Sequence, residues 1–259
     1  MNMCLKRMAG ILHCSPVFNL VYYYSKMPNE ILKKITIAID GPAASGKSTT
    51  AKLVAQRLGY LHIDTGAMYR AITVKVLEEK LDLNAKEAIV KLAQKCSIRL
   101  EVEDGITKVF LNGIEVTKKI RTPMVSRSVS AVSSYEGVRK LMVHEQQKMS
   151  SHGGVVLEGR DIGTVVLPKA ELKIYMVASV EERARRRKKE LATSGIDAEE
   201  KDLVNEITDR DRKDSTRLTS PLQKAKDAVE LDTSHMTIEE QVEFIVERAK
   251  NILRQEKHI

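Results

Sequence analysis

The sequence predicts an α/β protein, a central parallel sheet flanked by helices with a small antiparallel insert. Three observations carry that expectation. Short β-branched runs alternate with helical stretches, as strands of a parallel sheet do with their crossovers. A glycine-rich octapeptide, Gly41 to Ser48, lies between the first run and the first helical stretch. Two turn dipeptides, Asp104-Gly105 and Asn112-Gly113, each flanked by alternating apolar residues, break the alternation once.

The elements follow in order. Ile35-Thr36-Ile37-Ala38-Ile39 is the first strand, and the helix after it ends at Gly59. Leu61-His62-Ile63 is a second strand leading into another helix. Residues 97–117 read as a three-stranded meander, because both dipeptides suit type I′ turns. Val155-Val156-Leu157, Leu172 to Val177 and Val229-Glu230-Leu231 are the remaining strands. Ser179 with Glu182 predicts a capping box for the helix after Val177, and Thr237 with Glu240 predicts one for the last helix. In that helix Ile238, Val242, Ile245, Val246, Ala249, Ile252 and Leu253 recur on one face.

Composition narrows the class. The chain has 259 residues, 42% hydrophobic and 30% charged, which suits a globular domain and not a disordered chain. Its three cysteines make no disulfide framework and fit a reducing compartment, hence a cytoplasmic location. No run of eighteen apolar residues occurs, so no membrane partner is expected. The net charge of +8 favours anionic partners without specifying them. Residues 1–33 read as an extension: disordered, upstream of a true start at Met27, or a targeting segment that His13, Ser15, Pro16 and Asn19 argue against. Residues 34–259 read as a single domain.

The strongest chemical signal is Gly41-Pro42-Ala43-Ala44-Ser45-Gly46-Lys47-Ser48, which matches G-x-x-x-x-G-K-[ST]. Glycines let such a loop wrap so that consecutive backbone N–H groups point at phosphate oxygens, and the following helix adds its positive end. Lys47 would reach the β- and γ-phosphates, and the Ser48 hydroxyl would ligate magnesium. Thr49 opens the helix beside them. A Ras-like GTPase is excluded, since no glycine has Asp three residues before it and no Asn precedes Lys. An ATP-using kinase or ATPase remains.

Arginines with small polar neighbours recur in five other segments. These are Asp64 to Arg70, Ile120-Arg121-Thr122 running on to Arg139, Glu158 to Asp161, Arg183 with Arg187, and Arg210 with Asp214 and Arg217. Each alone reads as a solvated charged face. Together, at strand ends and helix starts, they suggest a site for a second phosphate-bearing substrate.

These residues closely resemble the bacterial-type cytidylate kinases, within the nucleoside monophosphate kinases, over roughly residues 34–255. The carriers are Ile39-Asp40-Gly41-Pro42, the phosphate loop, Asp64-Thr65-Gly66-Ala67-Met68-Tyr69-Arg70, Ile120-Arg121-Thr122, Glu158 to Val166 and Ser179 to Arg187. Gly159 to Thr164, matching the family's GRD-x-GT segment, is more diagnostic than the phosphate loop. One departure is Thr65, where the family often carries Ser; the hydroxyl is kept.

The resemblance implies a P-loop kinase fold, with the insert at about 95–120 and a short lid at about 183–200. It implies ATP and CMP or dCMP as substrates, magnesium as cofactor, a monomer, and no nucleic-acid partner. Gly41 through Thr49 would bind ATP. Arg70, Arg160 and Arg217 would hold the CMP phosphate, and Ser130, Arg139 and Asp161 would read the cytosine edge. Thr65 and Tyr69 would line that side, and Arg210 and Asp214 would address the sugar. Arg183 and Arg187 would close from the lid over the ATP phosphates, joining Lys47 and Arg160 in catalysis. Glu158 sits where a strand-end carboxylate would hold a magnesium-bound water. Two rivals stand against this reading. One is an adenylate- or shikimate-type kinase on the same fold. The other is a basic RNA-binding protein, disfavoured by only 4% aromatic residues and no tryptophan.

Overall fold

A computed structural model describes residues 34–103, 106–193 and 195–255. The expectation for residues 1–33 and the Asp104-Gly105 turn lie outside them. The five strands of the main sheet are β1 (Thr36–Asp40), β2 (Leu61–Asp64), β6 (Val155–Gly159), β7 (Leu172–Val177) and β8 (Val229–Asp232). They run in the order β2-β6-β1-β7-β8, and every pairing is parallel.

Helices cover both faces, so the central strands β1, β6 and β7 are largely buried on both sides. Ile37 and Ile39 of β1, Val156 of β6 and Ile174 and Met176 of β7 pack with helices α1 (Lys47–Leu58) and α8 (Ile238–Gln255). The alternate positions Ala38, Val155 and Leu157 face the opposite core. That core gathers α2 (Thr65–Glu78), α3 (Lys86–Gln94), α4 (Pro123–Ser134) and α5 (Glu136–Ser150).

The antiparallel insert is present as its own sheet: β3 (Ile98–Glu103), β4 (Ile106–Leu111) and the two-residue β5 (Ile114–Glu115). Asn112 and Gly113 both have positive φ, 50° and 83°, as a type I′ turn requires. Apolar residues on one side of this sheet, Leu100, Val109 and Leu111, join the α2 core, which fixes the insert beside the main sheet.

The last helix carries its capping box in full. Thr237 N–H and hydroxyl both donate to Glu240, and the Glu240 N–H donates back to the Thr237 hydroxyl at 3.3 Å. The Ser179 box at the start of α6 (Val180–Thr193) is only half formed. Glu182 N–H donates to the Ser179 hydroxyl at 3.2 Å, but the Glu182 carboxylate pairs with Arg185 and Arg186, and Ser179 N–H goes to Ser234. A seventh helix, α7 (Glu200–Thr216), lies against α6 through Ala184, Leu203 and Ile207. Among the described residues no helix is long and apolar enough to cross a membrane.

Candidate active site

The main cavity, about 580 Å³, lies at the carboxyl ends of β1, β6 and β2. An open parallel sheet leaves its crevice there. One wall is the loop from Ala43 to Gly46, which Gly41 and Pro42 join to β1. Gly41 has φ +152°, and a Cβ there would sit 2.1 Å from the Met176 carbonyl of β7, so only glycine lets the loop leave the sheet at this point. Gly46 has φ 94° and begins α1 without a side-chain cap or any acidic residue in the first turn. The first amides of α1 are thus left without a competing carboxylate.

The loop's carbonyls are held by side chains from the layer behind. Arg183 donates to Ala43 O at 3.3 Å, while Arg186 and the Thr233 hydroxyl both donate to Ser45 O at 3.1 Å. Lys47 is buried, with Nζ donating to Pro42 O at 2.5 Å and to the Ser45 hydroxyl at 3.2 Å. Burial pushes its ammonium well below the ordinary lysine value; Arg160 adds to this, and Glu158 and Asp40 oppose it. The Ser48 hydroxyl donates to Glu158 at 2.7 Å, and the other oxygen of that buried carboxylate meets His62 Nε2 at 3.0 Å.

The opposite wall is assembled from separate elements. Asp64 caps α2, accepting from Ala67 N–H at 3.0 Å and from Arg121 at 3.1 Å. Burial pushes its carboxyl up, but Arg70, Arg121 and His62 outweigh this and hold it below the ordinary value. Thr65 donates to Glu158 O at 2.7 Å, which ties α2 to β6. Arg139 of α5 and Asp161, both buried, form an ion pair, and Arg217 Nη2 lies 3.8 Å from the other Asp161 oxygen. The Arg139 guanidinium also lies over the Tyr69 ring, 5.4 Å from its centre. Arg160 Nε donates to Asp214 of α7 at 3.1 Å. Ser130 and Arg210 complete this wall.

Four buried polar atoms on this wall have no hydrogen-bond partner among the described residues: Tyr69 Oη, Arg139 Nε, Arg210 Nε and Arg217 Nη2. Burial lowers Arg210 to about 10, with Arg160 and Arg70 repelling its charge further. Arg70 and Arg217 are lowered for the same first reason. Crowded, desolvated guanidinium groups with unused donors are the chemistry of an anion site.

A sequence model of the cytidylate kinase family matches residues 37–251. The chain belongs to that family. The cytidylate kinase of Ligilactobacillus salivarius (strain UCC118) is 50% identical over 228 residues, 88% of this chain and 100% of that one. The cytidylate kinase of Bacillus subtilis (strain 168) is 50% identical over 215 residues, covering 83% and 96% of the two chains. The cytidylate kinase of Bacillus thuringiensis (strain Al Hakam) is 51% identical over 214 residues, 83% and 95% of the two chains.

Of the residues singled out in the sequence of this cytidylate kinase relative, Ala43 to Thr49, Thr65, Tyr69, Arg70, Ser130, Arg139, Arg160, Asp161, Arg187, Arg210, Asp214 and Arg217 line one cavity. Gly41 and Pro42 are not among its lining residues. Arg183 does not reach it. The i, i+4 spacing with Arg187 suggested a shared face, but Arg183 is buried under the phosphate loop, bonded to Ala178 O, Ala43 O and Asp211. Arg186, which that spacing passed over, lines the cavity beside Arg187.

Sequence reasoning also assigned no role to His62 or Asp40. Period-two alternation in β2 puts His62 on the face of Asp64, a signal that was available. Asp40 is a buried acid directly after the apolar, buried run Ile37-Ala38-Ile39, which is the kind of departure that marks a site.

Proposed function

We propose that the chain transfers the γ-phosphoryl group of ATP to CMP and dCMP, releasing ADP with CDP or dCDP. The observation that carries this reading is the set of buried donors left without a hydrogen bond on Arg139, Arg210, Arg217 and Tyr69, facing the phosphate loop across one cavity in a member of the cytidylate kinase family. Phosphoryl transfer between two anions needs alignment of donor and acceptor and cancellation of their repulsion. Two unit charges ~4 Å apart repel by about 4 kcal/mol at an effective dielectric of about 20. Lys47 and the loop amides oppose the charge of ATP, and Arg187 closes over its phosphates. Arg70, Arg160 and Arg217 grip the CMP phosphate, and the planar guanidinium fork suits that task better than an ammonium. Arg210 and Asp214 address the sugar. The attacking phosphate oxygen is already anionic, so no general base is required.

Cytosine presents an amino donor and an N3 acceptor, and uracil reverses both. Ionised Asp161 only accepts and Arg139 only donates, so together they match cytosine, with Ser130 beside them. Their ion pair fixes both groups before any base arrives.

Magnesium fits the pair that Ser48 and Glu158 present: the hydroxyl would ligate the ion and the carboxylate beside it would hold a magnesium-bound water. Bound there, it would neutralise charge shared between the β- and γ-phosphates. The same reading makes the chain a cytoplasmic monomer, with residues 95–120 serving as the monophosphate-side insert and, of the expected 183–200, the part from Arg187 onward as the lid, since Arg183 and Arg186 are tied to the phosphate loop.

A coupled ADP-release assay over CMP, dCMP, UMP, AMP, GMP and shikimate tests the proposal. CMP and dCMP should turn over far faster than the rest. Preference for any other acceptor would overturn it.

A further inference from the structure

The carboxylate of Asp40 closes β1, one residue before the phosphate loop, and is buried. Its two oxygens accept separate backbone hydrogen bonds, Ile162 N–H to Oδ1 at 2.8 Å and Gly163 N–H to Oδ2 at 2.7 Å. Those amides open the single π turn Ile162–Val166, directly after Arg160 and Asp161. At that point the sheet itself stops holding the chain. Asp40 pairs with Gly159, and no residue beyond Gly159 belongs to the β1–β6 ladder. Asp161 has φ −144° and ψ 26°, outside any regular element, and its own side chain does not cap the turn that follows it.

We infer that Asp40 is a positioning residue. It clamps the two amides after Asp161 and so sets where the Arg160-Asp161 pair points relative to the phosphate loop. This inference rests on the proposed reaction, in which Arg160 and Asp161 bind CMP, and it adds the group that aims them. A carboxylate is needed because both partners are donors. A side-chain amide would turn its NH₂ toward one of them. Leaving a buried N–H without an acceptor is unfavourable, so the turn would shift to recover one.

The test is Asp40→Asn, assayed with CMP, UMP and ATP varied separately. The expected result is a rise of about tenfold in KM for CMP, with KM for ATP within about twofold of the wild type and a smaller CMP-to-UMP preference. Equal changes in both KM values, or no change in either, would overturn the inference, because a general loss of structure has no reason to favour one substrate. Should the variant fail to fold, amide hydrogen exchange on the wild-type protein decides. The Ile162 and Gly163 amides should exchange slowly, and exchange at the rate of unbonded loop amides would sink the clamp. Lack of CMP turnover by the wild type would count against the proposed reaction alone, and the exchange measurement would still judge Asp40.

Discussion

The two walls of the cavity are built by different means. The phosphate-loop wall is continuous, Ala43 to Thr49, and the groups it offers are main-chain amides plus Lys47. The facing wall draws side chains from α2, α4, α5, the end of β6 and α7, with Asp161 and Arg217 on irregular backbone. A backbone site demands particular φ values at consecutive positions, so it leaves a local pattern. A side-chain site demands only that distant residues converge, so its pattern is set by topology.

Four experiments would break or sharpen this contrast. The largest effect belongs to Lys47→Ala, which should lower kcat on the order of 10³-fold with the fold retained by circular dichroism. A variant that keeps turning over would dissociate the loop from ATP. Next, Asp161→Ala should cut kcat/KM for CMP by roughly 10²-fold and for UMP by much less. Because the ratio is read, loss of folded protein cancels, and equal losses would remove Asp161 from base reading. Arg70→Lys should raise KM for CMP by about tenfold and leave KM for ATP nearly unchanged, since lysine keeps the charge but loses the fork.

The smallest effect is on stability. Burial raises Asp40 from the ordinary 3.8 to about 6; Asp161 adds to this, while the Gly163 and Ile162 amides and Lys47 oppose it. A folded-state value above the unfolded one means that the native chain binds the proton more tightly. The group's contribution to stability is therefore complete below pH 3.8 and is lost as pH rises through about 6. Urea unfolding of the wild type and Asp40→Asn across this window should show the wild type losing its relative advantage as pH increases. A flat difference would mean that Asp40 titrates alike in both states.

The same contrast explains what could be read from sequence. The main sheet was legible strand by strand, since parallel strands buried on both faces are short apolar runs with few competing readings. The phosphate loop was legible because it is contiguous. Arg160, Arg210 and Arg217 were singly no more than charged stretches; together they pointed to a second anion site, and the family resemblance supplied their separate roles. Asp40 and His62 escaped because their partners, Ile162 and Glu158, lie about a hundred residues away and meet them only through the packing of the sheet. Arg183 misled for a related reason. Spacing along a helix says which residues share a side, but not whether that side meets the cavity or the underside of a loop.

That underside has its own consequence. Ala43 O and Ser45 O are gripped by α6 and by Thr233, so the peptide planes of the phosphate loop are oriented when the chain folds and not when a nucleotide docks. A socket fixed in advance spends little entropy on capture, and it also has no way to tell one purine from another. Any choice among purines is therefore left to contacts beyond the phosphates.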